Sequence, residues 1–160
     1  MIQYKSKSEL QKMREAGKLL AQTFDYLSSY VKVGVSAAHL DKLIYEFILS
    51  KGGKPSFLGF NGYKYSSCIS KNEEIVHGIP SEDKVLYPGD ICSIDIGFFY
   101  QGFHADAARI FSLEPLDDKI EHLVKITEES FYKAVEAGRP GEKIGGMLSA
   151  LQCHVEDAGL

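Results

Sequence analysis

The stretch that decides the fold is DICSIDIGFFYQGFHADAARIFSL, residues 90–113. Apolar and aromatic residues dominate on both sides of Gln101-Gly102, and glycine at such a position suits a tight turn between strands. The stretch is therefore predicted to form a β-hairpin with its bend at these two residues. In that register Asp95 faces Ala108, and Asp106 lies two residues along the same strand on the same face of the sheet.

The carboxylates of Asp95 and Asp106 are candidates for binding a cation. Diagonal neighbours in an antiparallel pair have backbones about 7 to 8 Å apart, so their side chains can converge on one point. A divalent cation bound by oxygen at about 2.0 to 2.2 Å fits between two such carboxylates. The residues alone also allow a structural interpretation, in which Asp95 pairs with Arg109 or caps a turn and Asp106 is solvated.

Two amphipathic helices are predicted before the hairpin. Ser6 and Glu9 form a capping box, and apolar residues recur at helical spacing from about 7 to 30. Ser36 can cap a second helix, which Gly52-Gly53 ends. The buried stripe of this second helix is predicted to consist of Leu40, Leu43, Ile44, Phe47 and Ile48.

A second helical pair is predicted after the hairpin and resembles the first. Residues 115–118 open a third helix, and residues 138–141 turn the chain into a fourth. A shift of 107 residues superposes apolar and turn positions of the two pairs, including Phe24 with Phe131, Gly34 with Gly141 and Gly52 with Gly159. Strands follow the first pair, so equivalent strands are expected after the second, where the sequence ends at Leu160.

Composition narrows the class of protein. The chain has 160 residues, a formal net charge of -4 and 44% hydrophobic residues, as in globular proteins. It has no basic run for nucleic acid, and no apolar run approaches the roughly 20 residues that cross a bilayer. Its cysteines, Cys68, Cys92 and Cys153, are widely spaced and suggest neither disulfides nor a cysteine zinc site. A cytoplasmic protein without nucleic-acid or membrane partners is expected.

Several motifs together resemble the type I methionine aminopeptidases, which are pita-bread metallopeptidases. Besides the two aspartates separated by ten residues, these motifs are Lys12-Met13-Arg14-Glu15-Ala16-Gly17, Leu58-Gly59-Phe60-Asn61-Gly62-Tyr63, Ser67-Cys68-Ile69-Ser70, Asn72-Glu73-Glu74-Ile75-Val76-His77-Gly78-Ile79-Pro80 and Leu86-Tyr87-Pro88-Gly89-Asp90. The resemblance implies an α+β pita-bread fold, of which residues 1–160 are a single incomplete domain. That domain would comprise a helical hairpin, antiparallel strands with the metal-binding hairpin and a second helical hairpin, with the C-terminal strands missing.

The resemblance also implies roles for individual residues. Asp95 and Asp106 would be the first two metal ligands of a site for two divalent ions (Co, Mn, Fe or Zn). His77 would be the catalytic histidine beside the substrate amide. The substrate-binding residues would be His77 and the methionine pocket formed by Phe57, Phe60, Tyr63 and Cys68, with Phe60 where tyrosine is often found.

The activity implied is removal of the N-terminal, initiator methionine from nascent proteins. The family completes its metal site with a histidine and two glutamates from the second half, so residues 1–160 are expected to be inactive alone. An alternative is a non-catalytic binding module that retains the methionine pocket. His104 is expected to support the site or lie at the surface, and Cys92 to pack as an apolar residue; His39, His122 and His154 are interpreted as structural.

Overall fold

The computed structural model describes residues 3–160. They divide into two compact units, the first ending at Pro115 and the second comprising Leu116–Leu160. The first contains helices α1 (Lys7–Ser28) and α2 (Ala37–Ser50), strands β1 (Lys54–Pro55), β2 (Ser67–Lys71), β3 (Ile91–Tyr100) and β4 (Phe103–Ser112), and a short 3-10 helix, Phe60–Gly62. The second contains helices α3 (Asp118–Ala137) and α4 (Ile144–Asp157).

Strand β3 is the centre of an antiparallel sheet. It pairs with β4 along its whole length, and its other edge pairs with β2 and with the short β1. The predicted hairpin register is confirmed, because Asp95 is the partner of Ala108. Gln101 and Gly102, at the bend, have φ of 49° and 90°, the left-handed conformation that a tight two-residue hairpin turn requires.

Helices α1 and α2 cover the apolar side of this sheet. The capping box of Ser6 and Glu9 forms as predicted, although α1 ends at Ser28, slightly before the predicted limit. In α2 the predicted stripe is only partly buried. Leu40, Ile44 and Ile48 are fully buried in the core, while Leu43 and Phe47 are half-buried at its flank. Cys92 is fully buried there as an apolar residue, as predicted.

The second unit is an antiparallel pair of helices. Asp117 caps α3 by accepting a hydrogen bond from the backbone of Lys119. The sequence places no carboxylate at metal-ligand spacing from His154, and in the structure Nε2 of its ring lies 3.1 Å from a carboxylate oxygen of Glu129. The antiparallel packing of α4 on α3 makes this contact across 25 residues of sequence.

The local structure of the two helical pairs supports a duplication. Shifting the bounds of α2 by 107 residues reproduces the bounds of α4, Ile144–Asp157. The turn glycines match in conformation as well, with φ of 88° at Gly34 and 93° at Gly141, and 73° at Gly52 and 80° at Gly159. Within residues 3–160 no helix has the length and apolar character needed to span a membrane.

Candidate metal centre and substrate site

Three strands bring the predicted site residues to one face of the sheet. Cys68 on β2 is the direct partner of Asp95 on β3, and Asp106 on β4 is the partner of Gly97. Side chains alternate between the two faces of a strand, so Asp95, Gly97 and their partners share a face. The sheet thus sets the thiol and the two carboxylates side by side.

The carboxylate of Asp95 has an unmet hydrogen-bonding requirement. Its Oδ1 atom is buried and has no hydrogen-bond partner among the described residues. Burial raises the pKa of Asp95, the nearby Asp106 raises it further, and His77 lowers it. A buried acceptor beside a second carboxylate is the environment that a bound cation would stabilise, so the donors present fit a metal ion.

Arg109 does not neutralise Asp95. Its guanidinium lies 5.2 Å from the ring centre of Phe24 and 3.8 Å from a carboxylate oxygen of Asp25, both on α1. Arg109 pairs with Ile94 in the sheet, one residue out of step with Asp95, and so points to the opposite face. The structural interpretation in which Asp95 pairs with Arg109 is therefore wrong.

Residues 3–160 contain few candidate metal ligands in one place. Across residues 3–160 no group of three or more His, Cys, Asp or Glu side chains is arranged to hold a metal ion. Asp95 and Asp106 would supply two donors, and two carboxylates leave most coordination positions of a transition metal to other ligands.

Tyr63 and Cys68 form a hydrogen-bonded pair next to Asp95. The Tyr63 hydroxyl donates to the backbone carbonyl of Ser67 at 2.8 Å, and the Cys68 thiol donates to the Tyr63 oxygen at 3.5 Å. Burial raises the pKa of both groups. For Cys68, the carboxylate charge of Asp95 raises it too, against the opposing effect of the bond to Tyr63. This wall of the site therefore stays uncharged at neutral pH.

The ring of Phe57 lies close to Gly97 on β3, the residue that pairs with Asp106 on β4. A Cβ atom added to Gly97 would come within 2.8 Å of Cε1 of Phe57 and 2.6 Å of Cβ of Ser56. Glycine at position 97 thus lets the segment after β1 pass over the sheet. Ser56 is in turn 2.8 Å from Nδ1 of His104, which places that histidine at the exposed margin of the site.

The side chain of Phe60 is largely exposed to solvent. It is 69% exposed on the 3-10 helix, and the backbone amide of Phe60 donates to the carbonyl of Phe57. The place of Phe60 in the pocket wall stays a prediction. A cavity of about 620 Å³ lies elsewhere in the same unit, around the start of α2, and none of its lining residues is a predicted site residue.

His77 is exposed and held in an unusual backbone conformation. Its φ of 59° lies in the left-handed region that non-glycine residues rarely adopt. The next residue, Gly78, is bound to β2 on both sides of its backbone, since its carbonyl accepts from Ile69 and its amide donates to the hydroxyl of Ser70. This attachment brings the imidazole close enough to lower the pKa of Asp95.

Asp41 is a functional neighbour that sequence reasoning missed. Its Oδ1 accepts hydrogen bonds from the amides of Ser66 and Ser67 at 3.0 and 2.8 Å, and from the Ser67 hydroxyl at 2.7 Å. Burial raises the pKa of Asp41, while these bonds to Ser67 and Ser66 oppose the rise. The Asp41 carboxylate, on α2, thereby fixes Ser66 and Ser67, the two residues directly before Cys68. The sequence offered one signal for this contact, since Asp41 is an acidic residue next to Leu40 in the apolar stripe of α2.

The fold and the paired carboxylates define a class of metal-dependent peptidases, and the comparisons agree. Residues 11–160 match the model of metallopeptidase family M24, so the chain belongs to this family. Use of a divalent metal follows from that membership. The fold, with its sheet and two helical pairs, is the pita-bread fold expected from the sequence.

Within the family, the chain is similar to proteins named methionine aminopeptidase. It is 43% identical to methionine aminopeptidase 1 of Bacillus subtilis over 98% of this chain and 63% of that protein. It is 40% identical to the methionine aminopeptidase of Clostridium acetobutylicum over 99% and 64%. The crystal structure of methionine aminopeptidase from Thermotoga maritima matches with a TM-score of 0.96 and 38% identity, over 99% of this chain and 64% of that chain.

A more distant structure shares the fold. Xaa-Pro dipeptidase of Bacillus anthracis matches with a TM-score of 0.85 at 22% identity, over 97% of this chain and 42% of that chain. The chain thus spans slightly less than two thirds of the length of the methionine aminopeptidases named above.

The unpaired oxygen of Asp95 yields a test on stability. Because Oδ1 of the ionised side chain is buried without a partner, Asp95→Asn is expected to stabilise the metal-free chain by about 1 kcal/mol at pH 7. The advantage should vanish at acidic pH, where the wild-type carboxyl with its raised pKa is already protonated. Urea unfolding in the presence of a chelator measures both values. Asp117→Asn, at an exposed helix cap, is the control for a generic charge effect; destabilisation by Asp95→Asn would contradict the account.

Proposed function

We propose that the chain is part of a methionine aminopeptidase, which removes the initiator methionine from new polypeptides. The observation that supports this most is the buried, unpartnered Oδ1 of Asp95 on the same face as Asp106, in a chain 43% identical to a protein of that name. The proposal treats residues 1–160 as a single incomplete domain of an enzyme that acts in the cytoplasm, without nucleic-acid or membrane partners.

Asp95 and Asp106 would hold divalent metal, with two ions as the complete set. Mn, Fe, Co and Zn all accept mixed oxygen and imidazole ligands, so the donors do not select among them. Such an ion, when bound, supplies Lewis acidity toward the oxygen of a peptide carbonyl. The contribution of the two aspartates is to place negative charge on a rigid hairpin, where strand pairing restricts their movement relative to each other.

The remaining residues would bind and orient the N-terminal residue of a peptide. The uncharged surface of Tyr63 and Cys68, with the ring of Phe57 across the sheet, suits an unbranched thioether side chain, and Phe60 would extend this wall. His77 would donate or hold a proton at the nitrogen of the scissile amide, a role that suits imidazole near neutral pH. Asp41 would keep the start of β2 in register beneath the pocket.

A second function, a non-catalytic module that binds N-terminal methionine, is favoured by one observation. Residues 3–160 contain no group of three or more potential metal ligands, whereas the pocket residues Tyr63 and Cys68 are in contact. A peptide assay separates the two functions when it measures binding and hydrolysis together.

The first prediction from the proposal concerns the activity of residues 1–160. This polypeptide is expected to hydrolyse a Met-Gly-Met peptide at no measurable rate with added Mn or Co, because two carboxylates leave the cation poorly fixed. Removal of a single oxyanion-stabilising donor already lowers kcat about 100 to 1,000-fold, and here several interactions would be absent. The assay is repeated with Asp106→Asn to detect contaminating peptidase. Turnover that disappears in Asp106→Asn would show that these residues build a working site unaided.

The second prediction concerns the pocket and uses a chimera of residues 1–160 with the C-terminal remainder of the Bacillus subtilis relative. In this chimera Phe60→Ala is expected to raise KM for Met-peptides about 5 to 30-fold, since truncation of a partly exposed wall removes roughly 1 to 2 kcal/mol of contact. Phe60→Tyr keeps the ring and should leave KM within about twofold of the chimera with Phe60. An unchanged KM in Phe60→Ala would remove Phe60 from the pocket, and an inactive starting chimera would contradict the proposed function.

A further inference from the structure

The segment between β2 and β3 carries His77 and is held in place by an ion pair between Lys84 and Glu74. Lys84 has a side chain only 13% exposed, and its ammonium lies 2.7 Å from a carboxylate oxygen of Glu74. The same ammonium donates a hydrogen bond to the backbone carbonyl of Ile69 on β2 at 2.8 Å. One side chain therefore connects β2, the chain before His77 and the chain after it.

We propose that Lys84 is a positioning residue that holds His77 beside Asp95. The proposal rests on the function given to His77 above, and it adds a residue outside the metal ligands and the pocket. Lys84 lies seven positions beyond His77 in the sequence, so its effect depends on the folded segment between residues 72 and 84.

The backbone conformation of His77 shows why contacts such as those of Lys84, which we call the Lys84 clamp, are needed. With φ of 59°, His77 is in the left-handed conformation that few non-glycine residues adopt, and neighbouring contacts help to maintain it. Those contacts are the two backbone bonds of Gly78, to Ile69 and to Ser70. Gly78 lies so close to β2 that any Cβ atom would collide with the carbonyl oxygen of Ile69.

Lys84 binds the same residue of β2, Ile69, to which Gly78 is attached. The carbonyl of Ile69 accepts from the Lys84 ammonium, while the amide of Ile69 donates to the carbonyl of Gly78. Glu74 closes the segment from the other side, because it also accepts from the backbone amide of Lys71 at 2.8 Å. The backbone of Lys84 is itself fixed, since its carbonyl accepts from Ala37 at the start of α2.

A neighbouring ion pair has a different role. Lys71 lies 2.9 Å from Asp90, which also accepts hydrogen bonds from Asn72 and from the backbone of Tyr87. These contacts secure the two ends of the segment at β2 and β3. They do not include Ile69, so Lys84 is the side chain that supports the residue to which the carbonyl of Gly78 is bonded.

The test is amide hydrogen exchange in the 160-residue chain, without metal and without turnover. In Lys84→Met, exchange at Ile69 and Gly78 is expected to become at least about tenfold faster, because both amides report the attachment of the His77 segment to β2. The amide of Ile44, in the core of α2, should change by less than about threefold. Lys84→Arg, which keeps the cation, should recover most of the protection, and the NMR resonances of the His77 ring should return toward their wild-type positions.

Lys42→Met is the matched control, since Lys42 is a 71% exposed lysine of the same unit paired weakly with Glu46. Unchanged exchange at Ile69 and Gly78 in Lys84→Met, or an equal increase at Ile44, would overturn the proposal. If Lys84→Met does not fold, Glu74→Gln decides: a selective increase at the same two amides supports the clamp, and none refutes it. An inactive chimera with the Bacillus subtilis remainder would contradict the proposed function, while the exchange results on the 160-residue chain would stand independently of it.

Discussion

The structure of the site depends on one electrostatic constraint, the partial burial of the Asp95 carboxylate on the central strand of the sheet. Its Oδ1 atom has no hydrogen-bond partner within the described chain, and a second carboxylate, Asp106, lies diagonally across the hairpin. Such an arrangement disfavours the ionised form in the metal-free protein. A bound cation reverses this preference, so the same feature that weakens the empty fold favours metal binding.

The sheet and its hydrogen bonds keep the other site residues around that carboxylate. Strand β2 places Cys68 next to Asp95, and Asp41 fixes the start of that strand through three hydrogen bonds to Ser66 and Ser67. Tyr63 is attached to the same strand through the carbonyl of Ser67. Because these contacts all converge on β2 or the residue directly before it, pocket geometry and metal geometry are expected to depend on each other.

The sequence was most informative where local rules determine structure. The glycine at the bend and the apolar flanks set the hairpin register, and the capping residues Ser6 and Ser36 and the apolar stripes located the first two helices, since these patterns depend on residues close together in the chain. Contacts across long sequence separations were not predictable in this way. The bonds of Asp41 to β2, of Lys84 to Glu74 and Ile69, and of His154 to Glu129 arise only when separate elements pack.

The central claim is that Asp95 and Asp106 bind one divalent ion together, and crystals of this chain soaked in Mn²⁺ test it most directly. Anomalous diffraction locates manganese without any assumption about activity. The account predicts a peak within bonding distance, about 2.0 to 2.2 Å, of Oδ1 of Asp95 and of a carboxylate oxygen of Asp106. A peak bound by neither residue, or no peak at millimolar Mn²⁺ while Oδ1 of Asp95 stays unpaired, would contradict it.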